Sequence, residues 1–296
     1  SGMLTTPIAI TNTHSVGVVR DALITAAVRG ATTEPHWSLP VVGETWDGRL
    51  NDTDGQHVRP EHLFAALEEA RGGPVSEGNV GGGTGMICHE LKGGIGTASR
   101  VVPAADGGWT VGVLVQANHG RRGRLALGGI PVGRAIPATL VPSPWDDPVG
   151  VAPAPAPPPG SGSIIVVVAT DAPLLPHQCE RLAQRVGLGI GRAGGSGAHS
   201  SGDLFLCFAT GNRGLSAADD AEGQPQTRPI TTLVDAWISP LFWAVIEATE
   251  EAIANALVAA RTMTGRDGIT AHALPHDRLR ELVTAWAAME RSVGIR

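Results

Sequence analysis

Residues 164–210 read IIVVVATDAPLLPHQCERLAQRVGLGIGRAGGSGAHSSGDLFLCFAT, and this stretch decides the architecture. Ile164–Ala169 is an unbroken apolar run of strand length, rich in β-branched side chains. Pro176 then opens a helix, because a proline in the first helical turn gives up only an N–H that would lack a helical partner anyway. The pattern PHQCERLAQRV predicts that this helix ends at Gly187. A glycine-rich segment, 187–201, leads straight into a second apolar strand, 203–210 (DLFLCFAT). A strand apolar on both faces, a helix and another strand describe a sheet buried under helices. Working outward, Trp109–Ala117 (WTVGVLVQA) is a further buried strand. A helix starting at Pro60 carries Leu63, Ala66 and Leu67 on one face and stops at Gly72-Gly73. Two more helices are expected at about Leu241–Thr264 and Asp277–Val293. Residues 34–57 are turn-rich, Val151–Ser163 (VAPAPAPPPGSGS) reads as an extended polyproline-like loop, and 211–228 is a polar loop. No internal repeat is visible. The class is layered α/β.

The composition removes several functions. The chain has 296 residues, 42% hydrophobic and 17% charged, which is ample material for a core in one or two domains. Its net charge of −6 disfavours nucleic-acid binding. No apolar run is long enough to span a membrane, and no signal peptide is expected. Ser1-Gly2 before Met3 reads as an expression-tag remnant. Cys88, Cys179 and Cys207 lie far apart in sequence without a CxxC pair, so reduced thiols in a cytoplasmic protein are expected rather than disulfides or a zinc site.

Four motifs are set aside. Gly189-Ile190-Gly191-Arg192-Ala193-Gly194 satisfies GxGxxG, but it follows a helix and runs towards a strand, the reverse of a dinucleotide fingerprint. The glycines of 78–85 contain no P-loop lysine. His89-Glu90 begins like a zincin, but Gly93 stands where the second histidine belongs. Gly195-Ser196-Gly197 lacks the strand-before, helix-after context of a nucleophile elbow.

The remaining constellation is Ser200-Ser201-Gly202-Asp203, at the joint between flexible glycine and a rigid strand. A hydroxyl there can attack its own preceding carbonyl and form an ester that water cleaves. The freed α-amine, with a reference pKa of about 7.7–8.0, can act as general base for the same serine. A solvated loop is the plainer reading of the same residues.

Six stretches together resemble the β-peptidyl aminopeptidases, also called L-aminopeptidase/D-esterases. They are LPVVGETWDGRLND (39–52), EGNVGGGTGMICHELKGGIGTASR (77–100), TVGVLVQANHG (110–120), 164–192, SSGDLFLCFATGN (200–212) and SPLFWAVIEATEEAIANAL (239–257). The resemblance implies a four-layer αββα sandwich, similar to the N-terminal-nucleophile hydrolases and shared with ornithine acetyltransferase. It implies a single domain, 1–296, cut once between Ser200 and Ser201 into an α chain (1–200) and a β chain (201–296). Ser200 departs from the Gly or Asn common before the family nucleophile. The family's hydroxyl and carboxylate near that nucleophile look like Thr249 and Glu251, with Glu250 as rival and Glu247 facing outward. An amide side chain of the oxyanion hole falls to Asn118, at a strand end, with the Thr170-Asp171 position second. Asn79 and the N–H groups of Gly81–Gly85 are further donor candidates. Glu90 stands where a glutamate would hold the substrate ammonium. His89 stands where some relatives have tyrosine, a residue this chain lacks, so its imidazole is expected either to replace the phenol as a donor in substrate binding or to be a plain strand histidine. The resemblance further implies no cofactor or metal, a homotetramer of αβ units, and short peptides, amides and esters as substrates. Two alternatives accompany it: an amidase for ω-amino acid oligomers, and a processing-deficient homologue acting in binding or assembly.

Overall fold

The computed structural model describes residues 2–31, 37–146, 162–215 and 227–293. Most of the proline-rich stretch and the middle of the polar loop after Gly211 lie outside the described residues. The elements in chain order are β1 (Ile8–Asn12), α1 (Val16–Gly30), β2 (Val41–Thr45), α2 (Pro60–Glu69), β3 (Ile87–Cys88), β4 (Leu91–Lys92), β5 (Gly94–Val101) and β6 (Thr110–Asn118), followed by α3 (Val132–Ala135), β7 (Ser163–Thr170), α4 (Pro176–Arg192), β8 (Leu204–Ala209), α5 (Ser239–Ala259), β9 (Met263–Thr264), β10 (Thr270–Ala271) and α6 (His276–Val293).

The main sheet has the order β5-β6-β7-β8. Its first two pairings are antiparallel, and β7 and β8 are parallel, joined by α4 as the sequence pattern requires. Side chains alternate across a strand, so the register assigns each face. Gly96, Val115 and Val166 share the outer face, covered by α5 and α4. Gln116, Asn118, Ser163 and Ile165 share the inner face. There the parallel pair β1–β2 packs on, with a Cβ at Gly43 placed 3.0 Å from Ile165 Cγ2. Helices α1 and α2 close the far side through Val19, Ala22, Leu23 and Leu63. The layers are therefore α, β, β, α.

Close approach explains the small residues of the outer layer. A Cβ on Gly96 would lie 1.9 Å from Ala252 O, so α5 lies directly on β5 with Ala248, Ala252 and Ala256 fully buried. The same argument corrects the expected end of α4. The helix continues past Gly187 to Arg192 although each interior glycine costs about 1 kcal/mol relative to alanine. At Gly189 a Cβ would strike Ile246 O and Thr249 Cβ, both at 2.6 Å, so packing against α5 requires that glycine. Helix α5 is shorter than expected. It ends at Ala259, where Asn79 ties down the departing chain: Arg261 N donates to Asn79 Oδ1 (3.1 Å) and Asn79 Nδ2 donates to Arg261 O (2.9 Å). The packing of α4 on β8 also sets the thiols of Cys179 and Cys207 next to each other, although the two lie far apart in sequence.

Candidate active site

The inner face is polar at one end, where β6 finishes and β7 and β8 begin. Asn118 pairs across the ladder with Ser163. Ser163 Oγ accepts a hydrogen bond from Gly202 N at 3.0 Å, which brings the start of the 201–210 segment to the same edge. Ser201 Oγ donates to Asp203 Oδ1 at 2.6 Å, and Ile164 N donates to the same oxygen at 3.2 Å. Ser201 N donates to Ala198 O at 2.8 Å, a tight turn at the end of the glycine-rich segment. Ser201 and Asn118 thus stand at one edge, on either side of Ser163.

The Asn118 amide is oriented from both sides. Its Oδ1 accepts from Ile87 N and its Nδ2 donates to Trp46 O, both at 2.8 Å. A carboxamide nitrogen has two N–H groups, so one remains to donate elsewhere. Beside it is a small cleft lined by Trp46, Arg49, Gly85, Ile87, Asn118 and Trp145 among others. Arg49 stacks over Trp145 at 5.2 Å from the ring centroid. Asp47, which the sequence reading passed over, is buried at the border of this cleft, against Gly85. Its Oδ2 accepts from Asn12 and Asn51, while Oδ1 has no partner among the described residues. Only its flanking position to a cleft-lining tryptophan marks it, and sequence does not show the cleft.

His89 and Glu90 form the two-residue turn of the β3–β4 hairpin, both with positive φ (50° and 61°). Such turns favour Asn and Gly, and a larger side chain in this region costs about 1–2 kcal/mol. The turn buries His89 completely and packs its ring against the backbone of Gly120. His89 therefore faces the interior, which corrects its expected place in substrate binding. Glu90 faces Arg121 at 3.5 Å, and its Oε1 accepts from Arg122 N at 3.3 Å. Neighbouring buried groups are perturbed by desolvation. Burial pushes the Cys88 thiol up to about 12 and holds His119 down at about 3, with His89 adding repulsion. Burial lowers His89 as well. Lys92 is wholly buried, donating to the carbonyls of Gly83, Met86 and Gly93, and desolvation lowers it to about 7. Those three acceptors favour its charged form and oppose the shift.

The residues expected on α5 divide. Thr249 is buried against Gly189, its Oγ1 without a partner among the described residues. Glu251 is half exposed and pairs with Arg100 at 2.6 Å, together with Glu247 at 3.1 Å. Arg100 lies six residues along β5 from Gly94, about 20 Å from the Asn118 edge at roughly 3.3 Å per residue. Glu251 is thus engaged at the Arg100 end of β5. Glu250, the rival, is the buried carboxylate; it pairs at 2.7 Å with Arg192, the last residue of α4, where the segment leading to Ser201 departs. Asp171 is also corrected. It follows the far end of β7, about 25 Å from Ser163 by the same rise, and its Oδ1 accepts from Thr110 N at 2.7 Å. Asn79 is occupied by Arg261, and Gly83 N bonds within its own turn to Val80 O.

The sequence profile of peptidase family S58 matches residues 1–271. The chain belongs to this family. Two relatives named beta-peptidyl aminopeptidase BapA are close in sequence. That of Sphingosinicella microcystinivorans is 47% identical over 277 residues, covering 94% of this chain and 68% of that protein. That of Sphingosinicella xenopeptidilytica is 44% identical over 290 residues, covering 96% and 70%. Among solved structures, a Burkholderia sp. beta-aminopeptidase superposes with a TM-score of 0.86 at 51% identity, covering 100% of this chain and 76% of that one. The L-aminopeptidase D-Ala-esterase/amidase of Ochrobactrum anthropi, described as a prototype serine aminopeptidase with a variant of the Ntn hydrolase fold, gives 0.77 at 37% identity, covering 94% and 73%. The expected sandwich agrees with these neighbours, and this S58 chain is a peptidase of the N-terminal-nucleophile serine hydrolase type. No described helix is long and apolar enough to cross a membrane.

Proposed function

We propose that this S58 peptidase is an aminopeptidase that frees its own nucleophile by cleaving the Ser200–Ser201 bond. A single αββα body would then hold two chains, 1–200 and 201–296. The observation that carries this reading is the position of Ser201 at the joint of glycine-rich segment and strand, with Oγ on Asp203 and Asn118 at the same edge. Ser201 Oγ attacks the Ser200 carbonyl carbon, the C–N bond breaks, and the nitrogen leaves with a proton as the free α-amine. Water then hydrolyses the ester. In turnover the neutral amine accepts the Oγ proton as Oγ attacks the substrate carbonyl, and returns it to the leaving amine. The unassigned N–H of Asn118 is the donor for the oxyanion.

The names of the relatives make a peptide or amide with an N-terminal β-amino residue the first substrate class. The Trp46 and Trp145 walls suit an apolar side chain on that residue. The carboxylate for the substrate ammonium is Asp47, whose neighbours Trp46 and Gly85 line the cleft, or Glu90, which faces Arg121. Glu250 positions the α4 end through Arg192, and Thr249 packs the same junction. The exposed Val234, Trp237 and Trp243 favour association of αβ units into an oligomer, for which a tetramer is the expectation. Three free cysteines fit a reducing, cytoplasmic setting.

The test is intact mass under denaturing conditions beside Ser201→Ala, with hydrolysis of a β-homoamino acid anilide. Two fragments meeting at 200/201 with activity, both lost in the variant, are expected. An intact, inactive wild type would overturn the reading. If Asp47 holds the ammonium, Asp47→Asn should raise KM at least tenfold with kcat little changed, a loss of about 1.4 kcal/mol in binding.

A further inference from the structure

The cluster behind the Asn118 edge has no part in the hydrolytic chemistry. One ligand atom from each of Cys88, His89 and His119 lies within 4.8 Å of the other two, and all three residues are buried. Cys88 Sγ and His119 Nδ1 are 4.0 Å apart, and the two imidazoles meet edge to face at 5.2 Å. A second observation points to a ligand. His89 Nδ1 lies 3.0 Å from Arg121 O, so that nitrogen carries the proton and Nε2 carries a bare lone pair. This Nε2 is buried with no partner among the described residues. An imidazole anchored through its other nitrogen to a carbonyl is the usual outer-shell support of a metal ligand.

We propose that Cys88 Sγ, His89 Nε2 and His119 Nδ1 bind one thiophilic divalent ion, zinc or its cobalt surrogate. A thiolate with two imidazoles selects such ions over magnesium or calcium, which take oxygen ligands. Metal–ligand bonds of about 2.3 Å to sulfur and 2.0–2.1 Å to nitrogen place tetrahedral ligand atoms about 3.3–3.6 Å apart, so the cluster must contract by roughly an ångström. The fourth position goes to water. As the sulfur–metal bond forms, the thiol proton passes to bulk solvent, with no change of oxidation state. The dication and thiolate leave one positive charge, which Glu90 offsets and the nearby Lys92 and Arg122 oppose. Binding is accordingly weaker than at a closed four-ligand site.

The experiment titrates Co²⁺ into the metal-stripped full chain. One ion per chain is expected, with sulfur-to-cobalt charge transfer in the near ultraviolet and the strong visible bands of a four-coordinate ion, both bleached by Zn²⁺. The adjacent Cys179 and Cys207 are the competing thiols. The Cys179→Ser/Cys207→Ser variant leaves Cys88 as the last of the chain's three cysteines and should keep the full spectrum. Loss of the charge-transfer band in that variant, or its absence from the wild type at excess Co²⁺, overturns the proposal. Cys88→Ser should abolish the band; if that variant does not fold, the double variant alone decides.

Discussion

The two faces of the β5–β8 sheet bury opposite kinds of surface. On the outer face Val113, Val115, Val166 and Val168 meet the alanines of α5, and backbone touches backbone at Gly96. On the inner face Gln116 donates to Thr11 O and Thr45 Oγ1, and Asn118 spans Ile87 and Trp46. Apolar contact is non-directional and rewards area, so the outer face supplies stability without orienting any one group. Hydrogen bonds are directional and costly to leave unmade. The inner face therefore holds single polar atoms in place, and the candidate chemistry gathers there.

Substitutions on each face sharpen or break this comparison. The largest effect is expected at Asn118→Ala, where kcat should fall about 10²–10³-fold with KM little changed. A loss confined to thermal stability would instead make Asn118 a structural residue. On the outer face Gly96→Ala should destabilise by about 3 kcal/mol, because its Cβ meets the backbone of α5. Denaturant midpoints measure this, and kcat per folded molecule should stay at the wild-type value. If activity falls as well, the faces are not independent.

Smaller effects follow for α5. Glu250→Gln should slow self-cleavage roughly tenfold, about 1.4 kcal/mol, whereas Glu251→Gln, at the Arg100 end, should leave it unchanged. The two rates are read from the appearance of the fragments, and the reverse order would place Glu251 at the nucleophile after all. The smallest effect concerns pH. Lys92 in the folded state is lowered to about 7 from 10.5. Between those values the unfolded chain binds the proton that the folded chain has released, so this group makes stability rise with pH across that window. Lys92→Met should flatten the rise in urea midpoints from neutral to mildly alkaline pH. Equal slopes in both proteins would mean that the three carbonyl acceptors keep Lys92 charged.

Much of the fold is legible in the sequence. Runs such as IIVVVA admit only a buried strand or a short buried helix segment, and the flanking Asp-Ala-Pro and Gly-Ser turns settle which. Asn118 at a strand end and Ser201 at a glycine–strand joint were visible for the same reason, since local pattern determines both. The extension of α4 was not legible. Gly187, Gly189 and Gly191 read as a helix stop until α5 is packed across Gly189. Nor could spacing choose between Glu250 and Glu251, which are neighbours in sequence but pair with arginines on different elements.

The sequence alone determined the layered class, the strands, the glycine–strand joint at Ser201 and the family resemblance, because each rests on contiguous residues. Only the tertiary structure removed Asp171 from the site, turned His89 inward and set Asp47 against Gly85. It likewise joined Cys88 to His119 from 31 positions away. Each of these depends on where separate elements cross, and that is set by packing between distant segments, which no one-dimensional spacing records.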